Sequence, residues 1–300
     1  MKILVTGGAG FIGTNLIKRL LKGGNEVVSV DNYSTGLESN HINGCEYIKV
    51  DLSGSSHKHR DWHQEKFRLG NFDVIFHLAA IARIQPSFKH PIQTFSSNTT
   101  ATLNILEWAR HNQTPVIYAG SSSSNGDKFS NPYTLSKSHG EELVKLYNKV
   151  YDLPTSICRF YNVYGEHQLT EGDYCTLIGI FERLHKEGKP FVVTGDGEQR
   201  RDFTHVDDIV DGLVRCSWMI GSNRSNKVNG EIFELGRGKN YSVNEIVDAF
   251  GKNYQTQYID ARPGEMRETL NTDTKAKDVL GWKPKVDIIK YIKENYILDK

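Results

Sequence analysis

"VTGGAGFIG", residues 5–13, decides how the rest of the chain is read. It follows the β-branched run "ILV" (3–5) and opens a helical pattern over about 11–22. Gly8, Gly10 and Gly13 satisfy G-x-G-x-x-G, while Gly7, Gly10 and Gly13 satisfy the G-x-x-G-x-x-G variant. A strand, a glycine-rich turn and a helix in this order let backbone N–H groups meet a pyrophosphate at the positive helix end. Asp31 closes the next predicted strand, 21 positions after Gly10, where a carboxylate can hold an adenosine ribose. No arginine follows it in "DNYSTG" (31–36), and a carboxylate repels a 2′-phosphate, so NAD is expected rather than NADP.

The same rhythm continues outward. Apolar runs at 26–30, 47–50, 73–79, 115–119 and 155–160 alternate with helical patterns, two of them at about 92–112 and 134–151. This is the pattern of βαβ units feeding a doubly wound parallel sheet, apolar because helices cover both faces. After about residue 165 the rhythm loosens around glycine-rich turns at 171–173, 195–202 and 236–240, which predicts a smaller α/β lobe interleaved with the first. We expect 1–164 plus about 203–236 in the dinucleotide-binding domain, and 165–202 with 237–300 in the smaller substrate lobe.

Composition narrows the class. The 300 residues are 38% hydrophobic, enough for a large core. Thirty-seven basic and thirty-six acidic residues leave a formal charge of +1, which gives a nucleic-acid partner no electrostatic support. The four cysteines form no C-x-x-C pair, so neither zinc nor a disulfide framework is indicated and a reducing cytoplasm is expected. No run approaches eighteen apolar residues, and the first strand is too short for a signal core, so no membrane association is expected. "HKHRDWH" (57–63) offers three histidines without cysteine or paired carboxylates at ligand spacing, and reads as a solvated connection rather than a metal site.

Tyr133 and Lys137 stand at i and i+4 near a predicted helix start and share one face. Such pairs usually lie on a surface. Here Ser121 falls just past the strand "PVIYA" (115–119), at the sheet end where open α/β folds bind ligands. A phenol near pKa ~10 is a poor base at neutral pH, but a lysine cation and an oxidised nicotinamide favour its phenolate. Tyr133 is therefore the expected acid and base, Ser121 the group that positions a substrate hydroxyl, and Lys137 the anchor of the nicotinamide ribose. His77 is expected to pack or cap at the end of its apolar strand; Arg83, close after "HLAAIA", could face the substrate, but the surface is the expected place.

Taken together, "VTGGAGFIG", "DN" (31–32), "HLAAIA" (77–82), "SSN" (96–98), "YTLSK" (133–137), "RFYNVYG" (159–165), "GDGEQRRDFTHVDD" (195–208) and "RPGEMRETLNTDTKAKDVLGWKP" (262–284) resemble the extended short-chain dehydrogenases/reductases. The resemblance is specifically to their NAD-dependent nucleotide-sugar epimerase/dehydratase branch and spans nearly the whole chain. It implies a Rossmann domain with NAD held by Phe11 and Ile12 at the pyrophosphate. Asp31, Asn32, Ser34, Thr35 and Gly36 would hold the adenosine ribose, Asp51 and Leu52 the adenine, and Leu78, Ala79, Ala80 and Asn98 the further cofactor. It further implies a UDP-sugar substrate on Asn162, Arg201 and Arg262 (diphosphate), Glu265 (ribose) and Leu177, Val192 and Thr194 (nucleoside). A homodimer through the helices near 92–112 and 134–151 is also implied.

Relatives that eliminate or decarboxylate usually carry an acid within two positions of the catalytic hydroxyl, where this chain has Ser122 and Ser123. That points to a UDP-hexose 4-epimerase working through a transient 4-keto sugar. Thr269, small where a tyrosine can stand beside the sugar C2, adds UDP-GlcNAc/UDP-GalNAc to UDP-Glc/UDP-Gal. The alternatives are another NAD-dependent sugar-nucleotide enzyme (uronic acid epimerase, dehydratase or reductase) or a non-catalytic dinucleotide sensor. Two departures stand out: Asn125 replaces a family tyrosine, and Tyr133 follows Ser121 after only twelve positions.

Overall fold

The computed structural model describes residues 1–54, 70–220, 222 and 225–297, so the 57–63 histidine stretch lies outside the described residues. The chain opens with strand β1 (Lys2–Thr6), helix α1 (Phe11–Lys22), β2 (Glu26–Asp31), β3 (Cys45–Lys49) and β4 (Val74–His77). Two short helices, α2 (Ile84–Lys89) and α3 (Pro91–Phe95), lead through a π-helical turn at Ser96–Thr100 into α4 (Ala101–Asn112). Then come β5 (Val116–Ser121), α5 (Pro132–Tyr151), β6 (Thr155–Phe160) and β7 (Val163–Tyr164).

The second half contributes α6 (Leu177–Lys186), β8 (Phe191–Thr194), β9 (Arg200–Asp202), β10 (Thr204–His205) and α7 (Val206–Ile220). It ends with β11 (Ile232–Leu235), β12 (Asn240–Ser242), α8 (Val243–Phe250), β13 (Thr256–Ile259), α9 (Lys275–Leu280) and α10 (Ile288–Tyr296).

Among the described residues, seven strands form one parallel sheet in the order β11-β6-β5-β4-β1-β2-β3. Alternation of side chains along each strand sends Ile3 and Val5 to one face and Leu4 to the other. The first face packs on α1 and α7 through Leu16, Ile17, Ile209 and Leu213; the second packs on α4 and α5 through Ile105, Leu106, Val144 and Tyr147. Ala276, Leu280 and Trp282 return to the first face although they lie within the 237–300 stretch expected in the smaller lobe. No described helix is long and apolar enough to cross a membrane.

A third core joins α6, β8 and α8, with Phe181 stacked on Phe191 at a centroid distance of 4.2 Å. Short ladders β10-β7, β12-β9 and β13-β8 surround it. The fully buried Asp202 ties these pieces together. Its carboxylate accepts from the backbone N–H groups of Arg237 (2.8 Å), Gly238 (2.9 Å) and Asn271 (3.0 Å). Removing the acceptor strands the buried Asn271 amide and two part-buried ones, so Asp202→Ala is expected to destabilise the protein by about 2 kcal/mol. A denaturant midpoint unchanged from wild type would contradict this.

Candidate active site

The sheet order reverses between β1 and β4, whose crossovers run to opposite sides, and a crevice opens at the carboxyl ends of these strands. The turn between β1 and α1 floors it. Gly7 adopts a left-handed φ of +72°, and a Cβ there would lie 2.8 Å from the Ala79 amide, so turn and post-β4 segment are in direct contact. A methyl on Gly13 would meet the Gly7 carbonyl oxygen at 2.2 Å. The first intrahelical bond of α1 runs from the Thr14 N–H to Gly10 O, and Gly10 offers no side-chain cap. The amides of Phe11, Ile12 and Gly13 thus open the helix at the crevice, as an anionic diphosphate requires.

Asp31 ends β2 with its carboxylate held by the amides of Ala9 (3.0 Å) and Tyr33 (2.8 Å). Gly7, Gly10, Phe11, Ile12, Gly13, Asp31, Asn32, Ser34, Thr35, Asp51, Leu52, Leu78, Ala79, Ala80, Tyr133 and Lys137 all line this one cleft. Gly36 sits behind it, where a Cβ would press on Asp31 Oδ2 at 3.0 Å. Asn98 also works from behind. Its side chain accepts from Ile81 N (2.7 Å) and donates to Ile81 O (3.0 Å) and Ser136 Oγ (2.9 Å). The wider π turn at 96–100 carries this clamp.

At the other end of the cleft, Ser121 is the last residue of β5, and Pro132 starts α5 behind an Asn131 cap that accepts from Thr134 N at 2.8 Å. The Tyr133 hydroxyl donates to Ser121 Oγ at 3.3 Å, and Ser123 Oγ lies 2.9 Å from the same oxygen. Ser87 Oγ receives the Tyr133 N–H at 3.1 Å. Lys137, one turn on, donates to Ala119 O at 2.6 Å, with its ammonium 4.3 Å from the Tyr118 ring centroid. Burial draws the lysine down to about 8, against the pull of Glu141. Burial pushes the Tyr133 phenol up, opposed by the Ser121 hydrogen bond and the Arg83 guanidinium, while Glu141 adds to the rise.

The expectation of a surface Arg83 is corrected here: its side chain lines the cleft beside Tyr133, Leu169, Tyr174 and Thr176. Its sequence context gives no signal of this, because the turn after β4 is aimed by the distant Asn98 clamp. His77 is a packing group. It bridges Thr6 Oγ1 (2.7 Å) and Thr102 Oγ1 (3.0 Å), and burial lowers its pKa to about 3.

The short 122–131 segment is anchored by Asn125, which donates to Tyr161 Oη at 2.9 Å and accepts from Arg159. In the smaller lobe, Asn162 donates to Asp202 O (3.0 Å) and Thr269 Oγ1 (3.1 Å), and Arg201 stands 4.0 Å from Glu265. Leu177 begins α6, and Val192 and Thr194 lie on β8. Arg262 is exposed, and neither it nor Arg201 lines the cleft that holds Tyr133. Among the described residues no cluster of three or more His, Cys, Asp or Glu is placed to hold a metal.

A family model described as the NAD dependent epimerase/dehydratase family matches residues 3–236. The UDP-glucose 4-epimerase of Mycolicibacterium smegmatis is 31% identical, covering 95% of this chain and 94% of its own. The crystal structure of UDP-glucose 4-epimerase from Thermotoga maritima, with UDP-glucose, superposes with TM-score 0.86 at 28% identity, over 98% of this chain and 96% of that one. That of UDP-glucuronic acid 4-epimerase from Bacillus cereus, with UDP-glucuronic acid and NAD, has TM-score 0.82 at 27% identity, over 99% and 98%. The cofactor is NAD, which fits the uncapped helix start and the buried Asp31 carboxylate.

The Lys137 geometry has a pH signature. An unfolded lysine keeps its proton to about 10.4, whereas the folded group loses it at about 8. Between these values the unfolded chain binds more proton, so this group's contribution to stability rises with pH. In the protein without NAD, wild type is expected to gain on Lys137→Met from pH 8 upward, by up to about 3 kcal/mol near pH 10.5. Parallel stability curves from denaturant titrations across that window would contradict it.

Proposed function

The chain belongs to the NAD dependent epimerase/dehydratase family, and from that premise we propose that it is a nucleotide-sugar 4-epimerase. The main support is the pair of hydroxyls, Ser121 and Tyr133, 3.3 Å apart: Tyr133 lines the cleft into which α1 opens, and Ser121 directly follows the lining residue Gly120. A sugar hydroxyl between them donates to the Tyr133 oxygen as that oxygen becomes a base, while Ser121 fixes its direction. NAD, held by the α1 amides and Asp31, would supply the acceptor and later the donor of the sugar carbon's hydride. Tyr133 then gives back the proton, and return to the opposite face of the turned 4-keto sugar inverts C4.

Ser122 and Ser123 bring no carboxylate to the reacting carbon, so elimination lacks a local acid there. The epimerase's neutral substrate pairs would be UDP-glucose/UDP-galactose and UDP-GlcNAc/UDP-GalNAc. Thr269, with its hydroxyl turned to Asn162 and the Asp202 amide (3.2 Å), presents a small side chain at the sugar's expected C2 side. Asn162, Arg201 and Glu265 are assigned to the nucleotide diphosphate and ribose; their gathering around β9 supports this.

A dinucleotide sensor has no use for the Tyr133 hydroxyl held on Ser121, which the epimerase reading employs. We place a homodimer on α4 and α5, which expose Leu103, Leu146, Val150 and Tyr151, and the protein in the cytoplasm. Tyr133→Phe is expected to keep NAD bound and to lower kcat about 10²- to 10⁴-fold. NMR resolution of C4 epimers from UDP-sugars measures it, and a rate near wild type would refute the role.

A further inference from the structure

The nucleotide-sugar reading leaves open what surrounds the reacting carbon, and Arg83 bears on that point. Other buried or half-buried arginines face carboxylates. Arg159 meets Glu141 (2.6 Å) and Glu234 (2.9 Å), Arg215 meets Asp211 (2.6 Å), and Arg237 meets Asp287 (3.3 Å). Arg83 has no such partner among the described residues. Its Nε donates to Tyr174 O at 3.1 Å, which fixes the plane of the guanidinium and leaves both terminal nitrogens without a protein acceptor there. The side chain lines the same cleft as Tyr133 and Lys137.

A half-buried guanidinium whose terminal N–H groups have no protein acceptor is placed to take an anion that enters the cleft. Its planar fork matches a carboxylate in two parallel hydrogen bonds. If the C4 hydroxyl sits on Ser121 and Tyr133, the substituents on C3 and C5 flank it; the C3 hydroxyl of glucose and glucuronate is neutral, which leaves C5. A hydroxymethyl there has no charge to offer Arg83; a carboxylate has. The diphosphate is assigned to Arg201, which does not line this end of the cleft.

We propose that Arg83 receives the sugar's own carboxylate, so that the preferred substrates are nucleotide-linked hexuronic acids. This rests on the nucleotide-sugar 4-epimerase reading above and puts an acidic sugar ahead of its neutral pairs. Arg83 is then a specificity-determining residue: it discriminates acid from alcohol at C5 and orients the ring with C4 toward Tyr133.

The test titrates NAD-loaded protein with UDP-glucuronate and with UDP-glucose by calorimetry, in wild type, Arg83→Gln and Arg83→Lys. One charge-assisted fork predicts that wild type binds the acid about 10- to 100-fold more tightly than the neutral sugar. Arg83→Gln should bring that ratio near unity, and Arg83→Lys, which keeps the charge, should retain part of it. Equal binding of both sugars by wild type overturns the proposal. So does an equal loss for both in Arg83→Gln, the mark of an arginine on the shared diphosphate. Binding of neither sugar overturns the nucleotide-sugar reading along with it. A preserved acid preference without C4 turnover would support the Arg83 assignment while counting against the epimerase.

Discussion

The start of α1 is the constraint on which the remaining arrangement depends. Its leading amides precede the first helical hydrogen bond, no side chain caps them, and they face a cleft rather than a neighbouring element. A helix end left in this state needs an anion or water. Gly7 and Gly13 allow the turn to press on the Ala79 backbone and on itself, which fixes where that positive end points. The Asp31 carboxylate, held by two amides at the end of the adjacent strand, places a negative group at the ribose end of the same crevice. Phosphate attraction and ribose recognition are therefore built from backbone geometry and change little with side-chain motion.

The opposite end of the cleft is built differently, from buried polar side chains that hold one another. Ser121, Ser123 and Tyr133 share a hydroxyl network, Lys137 is pinned by a carbonyl and a ring, and Ser87 takes the Tyr133 amide. Such groups are unfavourable to bury, and each is offset by a specific partner. The result is a reacting pair of hydroxyls whose spacing is set before substrate arrives, which is what electrostatic preorganisation requires. Asn98 extends the arrangement: by clamping Ile81 and Ser136 it joins the turn after β4 to the helix that carries Tyr133.

Much of this was legible in the sequence because it depends on short-range chemistry. The glycine spacing, Asp31 at the end of a β-branched run, and the Tyr133/Lys137 pair at helical spacing each have a local meaning, and the predicted strands differ from the observed ones by a few residues at most. The parts that were not legible depend on contacts between distant segments. Nothing in "HLAAIA" says that Arg83 turns into the cleft, since the turn is aimed from Asn98 through a π-helical irregularity without a sequence signature. Nothing in "QRRD" says that Asp202 holds the amides of two distant backbone segments, 237–238 and 271. Asn98 and Gly36, expected against the cofactor, act one layer back, on Ile81 and on Asp31. The return of Ala276, Leu280 and Trp282 to the large sheet is a tertiary contact that an apolar pattern cannot assign to one lobe or the other.

The central claim is that the cleft carries a hydrogen from a sugar carbon and gives it back to the same carbon. A UDP-sugar deuterated at C4, supplied as both the glucose and the glucuronate form and incubated with the NAD-loaded protein, tests it most directly by NMR of the product. The expected product is a C4 epimer with its deuterium still on C4. Replacement of that label by solvent hydrogen, or no C4 epimer from either sugar, would contradict it.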